Sequence, residues 1–260
     1  GSLTMGAAIS AICISNGMNP YLTLILAFCG GLCAGLVTGF FHTILKIPAL
    51  LSGILTMLAL YSVNLRIMGK ANVSLLKMET VFTPFENLGL SKNFAVIAVM
   101  LIIVSILIAA LYWFFGTELG CAIRATGNNR KMARAQGINT RFMTIIALML
   151  SNGLVGLGGA LIAQNQSFAD MSMGIGSIVI ALASLSIGEV LLAKGNFFVR
   201  LLSLVFGAII YRIIIAFVLW LGMPSNDLRL FTALTVAVAL ALPVFRGYFR
   251  TLKNSFRKEV

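Results

Sequence analysis

Apolar runs of about twenty residues recur along this chain, most cleanly at 20–43, 93–115, 142–163 and 197–222. A helix of that length crosses the hydrocarbon core of a bilayer, and in lipid each backbone N–H and C=O must then be satisfied within the segment. The chain is 60% hydrophobic and 10% charged, against about 25% charge in a soluble domain. A β-barrel would show segments of about ten residues with alternating polarity, and none is present. The fold class expected is therefore an all-α polytopic membrane protein. Its net charge of +12 is read as loop charge that orients the spans, not as a nucleic-acid surface.

In chain order, residues 3–17 form a short apolar stretch closed by Asn16, Gly17 and Asn19-Pro20. Residues 20–43 make a full span with Gly30, Gly31 and Gly35 at its centre, small enough for close helix packing in lipid. Pro48 is expected in the first turn of a span over 48–66. That span carries Ser52, Thr56, Tyr61, Ser62 and Asn64, which fits either a water-filled path or bonding to neighbouring helices. Residues 67–92 read as an ordered loop or short amphipathic piece outside the core. Spans follow at 93–115, 142–163, 171–193, 197–222 and 228–244, which makes about eight with the first incomplete. The tail, 246–260, is basic.

With the tail in the cytoplasm, alternation puts thirteen Lys and Arg residues inside and five outside, with Arg212 left in the membrane. The positive-inside rule favours this orientation. His42, the single histidine, is an interfacial polar residue at a span end. Cys13, Cys29, Cys33 and Cys121 have neither disulfide spacing nor His or acidic company for a metal. No metal site, no catalytic residue and no cofactor on this chain are expected.

The longest polar interruption between clear spans is 116–141. It holds Arg124, Arg130, Lys131, Arg134 and Arg141 against one acid, Glu118. Thr117 is a helix cap, Asn129 an N-cap before the helix formers of 129–136, and Gly137 a C′ stop. A short helix across the cytoplasmic surface follows. Chemistry alone allows it to rest on anionic lipid.

The run Gly120…Arg124-Ala125-Thr126-Gly127…Asn129…Ala133…Gly137-Ile138-Asn139 resembles the cytoplasmic coupling loop of bacterial ABC-importer permeases, in the branch with branched-chain amino acid and ribose permeases. Further matches are 1–7 (GSLTMGA), 47–57 (IPALLSGILTM), Met173-Gly174-Ile175-Gly176 leading to Ile187-Gly188-Glu189, Tyr211-Arg212 and Ala241-Leu242-Pro243. The resemblance covers the chain nearly end to end and is nearest to permeases of tryptophan/tyrosine-type systems. It implies one transmembrane permease domain over 1–260, lacking a further N-terminal helix, with 116–141 as coupling loop and 129–137 as coupling helix. It implies a bacterial inner-membrane location, a second permease copy, two ATP-binding-cassette ATPase subunits that hold ATP and Mg, and an extracytoplasmic substrate-binding protein. ATPase-contacting positions would be Gly120, Arg124, Ala125, Gly127, Asn129, Arg130, Met132, Ala133, Arg134, Gly137 and Ile138. The substrate implied is an aromatic or branched-chain amino acid. Two residues depart from the general importer motif, because Lys131-Met132 stands where Glu-Ala would precede Ala133.

A phosphate loop, G-x-x-x-x-G-K-[ST], is absent from the sequence, so the motor must come from elsewhere. Candidate path residues are Asn64, Asn152, Gln164, Asp170 and Arg212. Arg212 lies twelve residues beyond Arg200, roughly 18 Å along a helix. It either lines an outer vestibule or pairs with carbonyls at a helix break. Glu189 is expected to anchor the inner end of its span. The alternatives are an ion-gradient-driven transporter, which would use mid-span carboxylates, and a membrane-embedded enzyme, for which little chemistry is available.

Overall fold

Glycine spacing on one helix decides the main packing. The computed structural model describes residues 1–87, 91–191 and 196–220. They divide into two compact units, the first ending at Gly174 and the second starting at Ile175.

In the first unit, helix α1 (Ser2–Ser15), α2 (Pro20–Thr43) and α8 (Thr140–Gln166) form the centre. The small residues Ala27, Gly31, Gly35 and Gly39 recur every fourth position on α2 and are all buried. They meet α8 antiparallel: Ala27 faces Gly156, Gly31 faces Asn152 and Gly153, Gly35 faces Leu148 and Met149, and Gly39 faces Ile145. With lipid as solvent there is no apolar driving force between helices, so backbone approach and dispersion must hold them. Gly6 of α1 packs on Gly156 from another side, and Gly159 on the backbone of Leu3.

Helix α3 (Ala49–Met68) carries Ser52, Thr56, Leu60, Asn64 and Met68 on one buried face. Ser52, Thr56 and Asn64 are thus turned toward neighbouring helices, while Tyr61 and Ser62 are exposed. Thr38 Oγ1 donates to Thr56 Oγ1 at 3.0 Å, and Thr56 in turn donates to the Ser52 carbonyl. Pro48 is the N-cap of α3 and not its first helical residue; its carbonyl accepts the Ser52 N–H at 2.9 Å. Gly69, at φ 67°, ends the helix in the left-handed conformation.

The 67–92 segment is ordered by a two-stranded sheet. Strand β1 (Asn72–Ser74) pairs antiparallel with β2 (Phe168–Asp170), in register Asn72↔Asp170, Val73↔Ala169 and Ser74↔Phe168. Val73 and Ala169 are buried against Ala7, Ala8, Ala11, Ile14, Met68, Leu75 and Ala163. The pairing places the ends of α3 and α8 on the same side, as the alternating topology requires. A short helix, α4 (Thr83–Asn87), follows, with Val81 and Phe82 packed on Val99 of α5 (Lys92–Gly116). Then come α6 (Glu118–Asn128) and α7 (Arg130–Ala135).

In the second unit α9 (Ser177–Leu191) packs on α10 (Phe197–Trp220). Gly207 meets the Ser184 carbonyl and Gly188, and Gly188 meets the Ser203 carbonyl.

Among the described residues five helices, α2, α3, α5, α8 and α10, are long and apolar enough to cross a membrane. The protein is accordingly a mostly helical, multi-pass membrane protein. The expected first span is the 14-residue α1. The expected 171–193 span is shorter than its hydropathy suggests, because 168–170 form a strand, 171–176 form turns, and α9 starts at Ser177. The 228–244 span and the 246–260 tail lie outside the described residues.

Candidate functional site

The polar connection from α5 to α8 is built as two short capped helices, α6 and α7. Thr117 Oγ1 accepts the Gly120 N–H at 3.3 Å and so caps α6. Gly120 lies so close to the end of α5 that a Cβ there would stand 2.3 Å from the Phe114 carbonyl oxygen. Glycine thereby allows α6 to fold straight back from the membrane exit. Along α6, Arg124 and Gly127 are exposed, Ala125 is half-buried, and Thr126 is buried. The Arg124 guanidinium reaches the Cys121 sulfur at 3.3 Å.

Asn129 separates the two helices in extended conformation, and its side chain accepts the N–H groups of Lys131 and Met132 at 3.0 and 3.1 Å. Gly137 follows α7 at φ 80°. Its N–H donates to the Arg134 carbonyl, and the Ile138 N–H donates to the Ala133 carbonyl at 3.1 Å. This pair of bonds is a Schellman closure, which needs a residue that tolerates the left-handed region. Asn139 then caps α8 through the Phe142 N–H at 3.3 Å.

The resulting helix buries one side chain and exposes the others. Ala133 is fully buried, Met132 is 45% exposed, and Arg130, Lys131 and Arg134 are exposed. Arg134 Nε donates to Thr140 Oγ1 at 2.9 Å and Arg130 to Thr144 Oγ1 at 3.4 Å. Those bonds tie α7 to the start of α8.

Within the first unit the path candidates Asn64, Asn152, Gln164 and Asp170 have separate sets of hydrogen-bond partners. Gln164 is buried between α1, α2 and the 75–82 segment. Its Nε2 donates to Ser10 Oγ (3.0 Å) and Thr23 Oγ1 (3.2 Å), while its Oε1 accepts the Val81 N–H at 3.0 Å. Thr23 donates to the Pro20 carbonyl at 2.7 Å. Ser10, Thr23 and Val81 were not singled out from sequence; the two hydroxyls within apolar runs were the available signal. Gln164 also borders a cavity of 330 Å³ lined by Lys77, Glu79, Lys92 and Asn165 among others. Asn152 accepts from Ser2 Oγ at 2.6 Å. Asn64 is buried and donates to the Gly1 carbonyl at 3.3 Å, its Oδ1 having no partner among the described residues.

Asp170 ends β2. Its carboxylate accepts from the Ser172 hydroxyl and from the Ser172 N–H (2.7 Å), with Asn72 Nδ2 at 3.3 Å. The Ser172 hydroxyl, then its amide, hold the carboxyl below the ordinary aspartate range. Arg212 lies on an exposed face of α10 in the second unit, next to buried Tyr211. Glu189 is exposed near the end of α9. Among the described residues no group of three His, Cys, Asp or Glu could hold a metal ion.

Residues 1–242 match the family described as the permease component of branched-chain amino acid transport systems. A tyrosine transport system permease protein of Clostridioides difficile (strain R20291) is 41% identical over 93% of this chain and 79% of that protein. The ribose import permease protein of Escherichia coli (strain K12) is 27% identical over 88% of this chain and 67% of that protein. An autoinducer 2 import system permease protein of Photorhabdus luminescens is 28% identical over 73% of this chain and 56% of that protein. No solved structure matches the chain. A multi-pass helical chain with this near end-to-end match belongs to the family of branched-chain amino acid transport system permease components.

Proposed function

We propose that this permease lines the substrate path of an ATP-binding-cassette importer for an aromatic or branched-chain amino acid, and takes its energy from separate ATPase subunits docked on α7. The observation that carries the reading is the construction of α7. It is a short, exposed, basic helix with both ends closed by backbone and side-chain bonds, tied through Arg134–Thr140 and Arg130–Thr144 to the head of α8. A lever needs that stiffness, because a slack loop would absorb the displacement. ATP and Mg would sit on the ATPase partner, with no cofactor on this chain. A cleft on the ATPase would receive Met132 and the exposed edge of α7, with Gly120, Arg124, Ala125, Gly127, Asn129, Ala133, Gly137 and Ile138 shaping or flanking the contact.

The path would run between two copies of the permease, and a substrate-binding protein would deliver cargo on the side of the β1–β2 sheet. The α7 side and the tail are the cytoplasmic side of a bacterial inner membrane in this reading. The amino-acid substrate is supported by the likeness to a tyrosine transport system permease. Glu79, Glu118, Asp170 and Glu189 stand in loops, strand or helix ends, a poor arrangement for the mid-span carboxylates of ion-driven carriers.

The test is uptake of labelled tyrosine, leucine and ribose into proteoliposomes that hold the full chain with its ATPase and binding protein. ATP-dependent uptake of an amino acid, insensitive to ionophores, is the expected result. Uptake without ATP that an ionophore abolishes would return the ion-driven reading.

A further inference from the structure

Beside α7, on the side that faces the membrane helices, lies a recess of 430 Å³. It is lined by His42 and Thr43 from the last turn of α2, Lys46 from the α2–α3 turn, Arg130 and Arg134 from α7, and Thr140, Arg141 and Thr144 from α8. No carboxylate lines it. Four permanent cations and three hydroxyls thus border one cavity with no anion to offset them.

We propose that this recess holds the phosphate of an anionic phospholipid headgroup. Three features of the cavity argue for phosphate oxygens. Arg130 and Arg134 sit one turn apart and each spends a bond on a neutral hydroxyl, Thr144 and Thr140. A guanidinium carries five donors in a planar fork suited to phosphate oxygens, so donors are left over for a ligand. Thr43 and Thr144 already donate to the Gly39 and Thr140 carbonyls, which leaves the Thr140 hydroxyl, itself an acceptor from Arg134, to donate. Lys46 is held at φ 56°, in the left-handed region that a long side chain seldom occupies. Such a conformation persists only when its surroundings fix it, and it often marks a functional position. The turn is fixed here by the Ile47 N–H on the Phe41 carbonyl (3.1 Å) and by the His42–Ile47 bond. The Ile47 carbonyl can only accept, so His42 Nδ1 carries the proton.

The lipid source follows from depth. The recess is bounded by the ends of two membrane-spanning helices, α2 and α8, and Thr144 lies one turn inside α8. That is the level of lipid headgroups, and basic pockets between span ends on this side are suited to them. A zwitterionic amino acid, with no net charge, is poorly matched to four cations. The inference takes the cytoplasmic side from the proposed function and shares Arg130 and Arg134 with it, but lipid retention is read on the permease without its ATPase, so the two can fail separately.

The test uses the full chain in nanodiscs of neutral phosphatidylcholine, with and without phosphatidylglycerol, and native mass spectrometry of the lipid retained. Phosphatidylglycerol should be retained preferentially and raise Tm. The double substitution Arg130→Gln with Arg134→Gln should weaken retention about tenfold or more. Should that variant not fold, Lys46→Gln and Arg141→Gln are to reduce retention singly. Lys131→Gln, the same charge change outside the recess, should retain lipid as the parent does. Equal loss in Lys131→Gln would overturn the site in favour of diffuse surface charge. The same Tm rise from inorganic phosphate in neutral discs would overturn the lipid source, and no preference for phosphatidylglycerol would overturn both.

Discussion

A Cβ added to Gly31 of α2 would stand 2.3 Å from the carbonyl oxygen of Asn152 in α8, with Gly153 at 2.8 Å. No flexible side chain is there to yield, so Gly31→Ala must push two backbones apart. Overpacking of this kind costs about 1–3 kcal/mol. A fall in Tm of the detergent-purified protein is expected. Gly158, on the same helix α8, has nothing within 4 Å of an added Cβ. There Gly158→Ala should be neutral or stabilising by up to about 1 kcal/mol, through helix propensity alone. Equal effects of the two substitutions would refute the close-packed α2–α8 contact.

Gln164 joins three elements with one amide, so its loss should be felt at a distance. Gln164→Leu keeps the volume and leaves the buried Val81 N–H without its acceptor, at a cost of about 1–3 kcal/mol. The Ser10–Thr23 pair at 3.1 Å can persist without it. Hydrogen exchange should therefore accelerate in the 75–82 segment more than in α1 or α2. Uniform acceleration would assign Gln164 to global stability.

Asp170 gives the β1–β2 sheet a dependence on pH. Its carboxyl is held low by Ser172, first through the hydroxyl and then through the amide. A depressed folded-state value means that the unfolded chain takes up the proton first. The stabilisation is therefore complete above the ordinary aspartate value, about 3.9, and is lost as pH falls through the lowered one. Exchange protection in β1 and β2 should decline on acidification below about pH 4. Ser172→Ala should shrink that decline, because the folded-state value moves back toward the unfolded one, and Asp170→Asn should abolish it.

Helix identity was legible in this sequence and the partners of helices were not. The caps at Asn129 and Gly137 could be read directly, because a side-chain acceptor at an extended residue and a left-handed glycine are local requirements. The glycines of α2 signalled close packing, yet nothing local names α8 as the partner over a hundred residues on. The β1–β2 pair escaped for the same reason. Each strand has three residues, too few for a pattern, and their stability comes from burying Val73 and Ala169 on α1. Hydropathy overran at 171–176, where MSMGIG is as apolar as a helix but ends in Gly176 at φ 82°. At the site, the basic residues of 116–141 were legible as a group. Their convergence with His42 and Lys46 was not, since it depends on the antiparallel packing of α2 and α8.

Gly137 separates the conformational role of the α7 closure from its steric one. No atom lies within 4 Å of a Cβ added there, but φ is 80°. Any cost of substitution is therefore backbone strain, about 1–2 kcal/mol for an ordinary L-residue in the left-handed region and more for a β-branched one. Gly137→Asn should be tolerated best and Gly137→Val worst, with Gly137→Ala between them. The strain falls on the Ile138–Ala133 and Gly137–Arg134 bonds, so the last turn of α7 should fray while the spans stay intact. Under the docking proposal, ATPase co-purification and the coupling of ATP hydrolysis to uptake should decline in the order Asn, Ala, Val, with an unchanged thermal transition for the membrane helices. Normal coupling in Gly137→Val, alongside demonstrated fraying of α7, would remove α7 as the transmitting element.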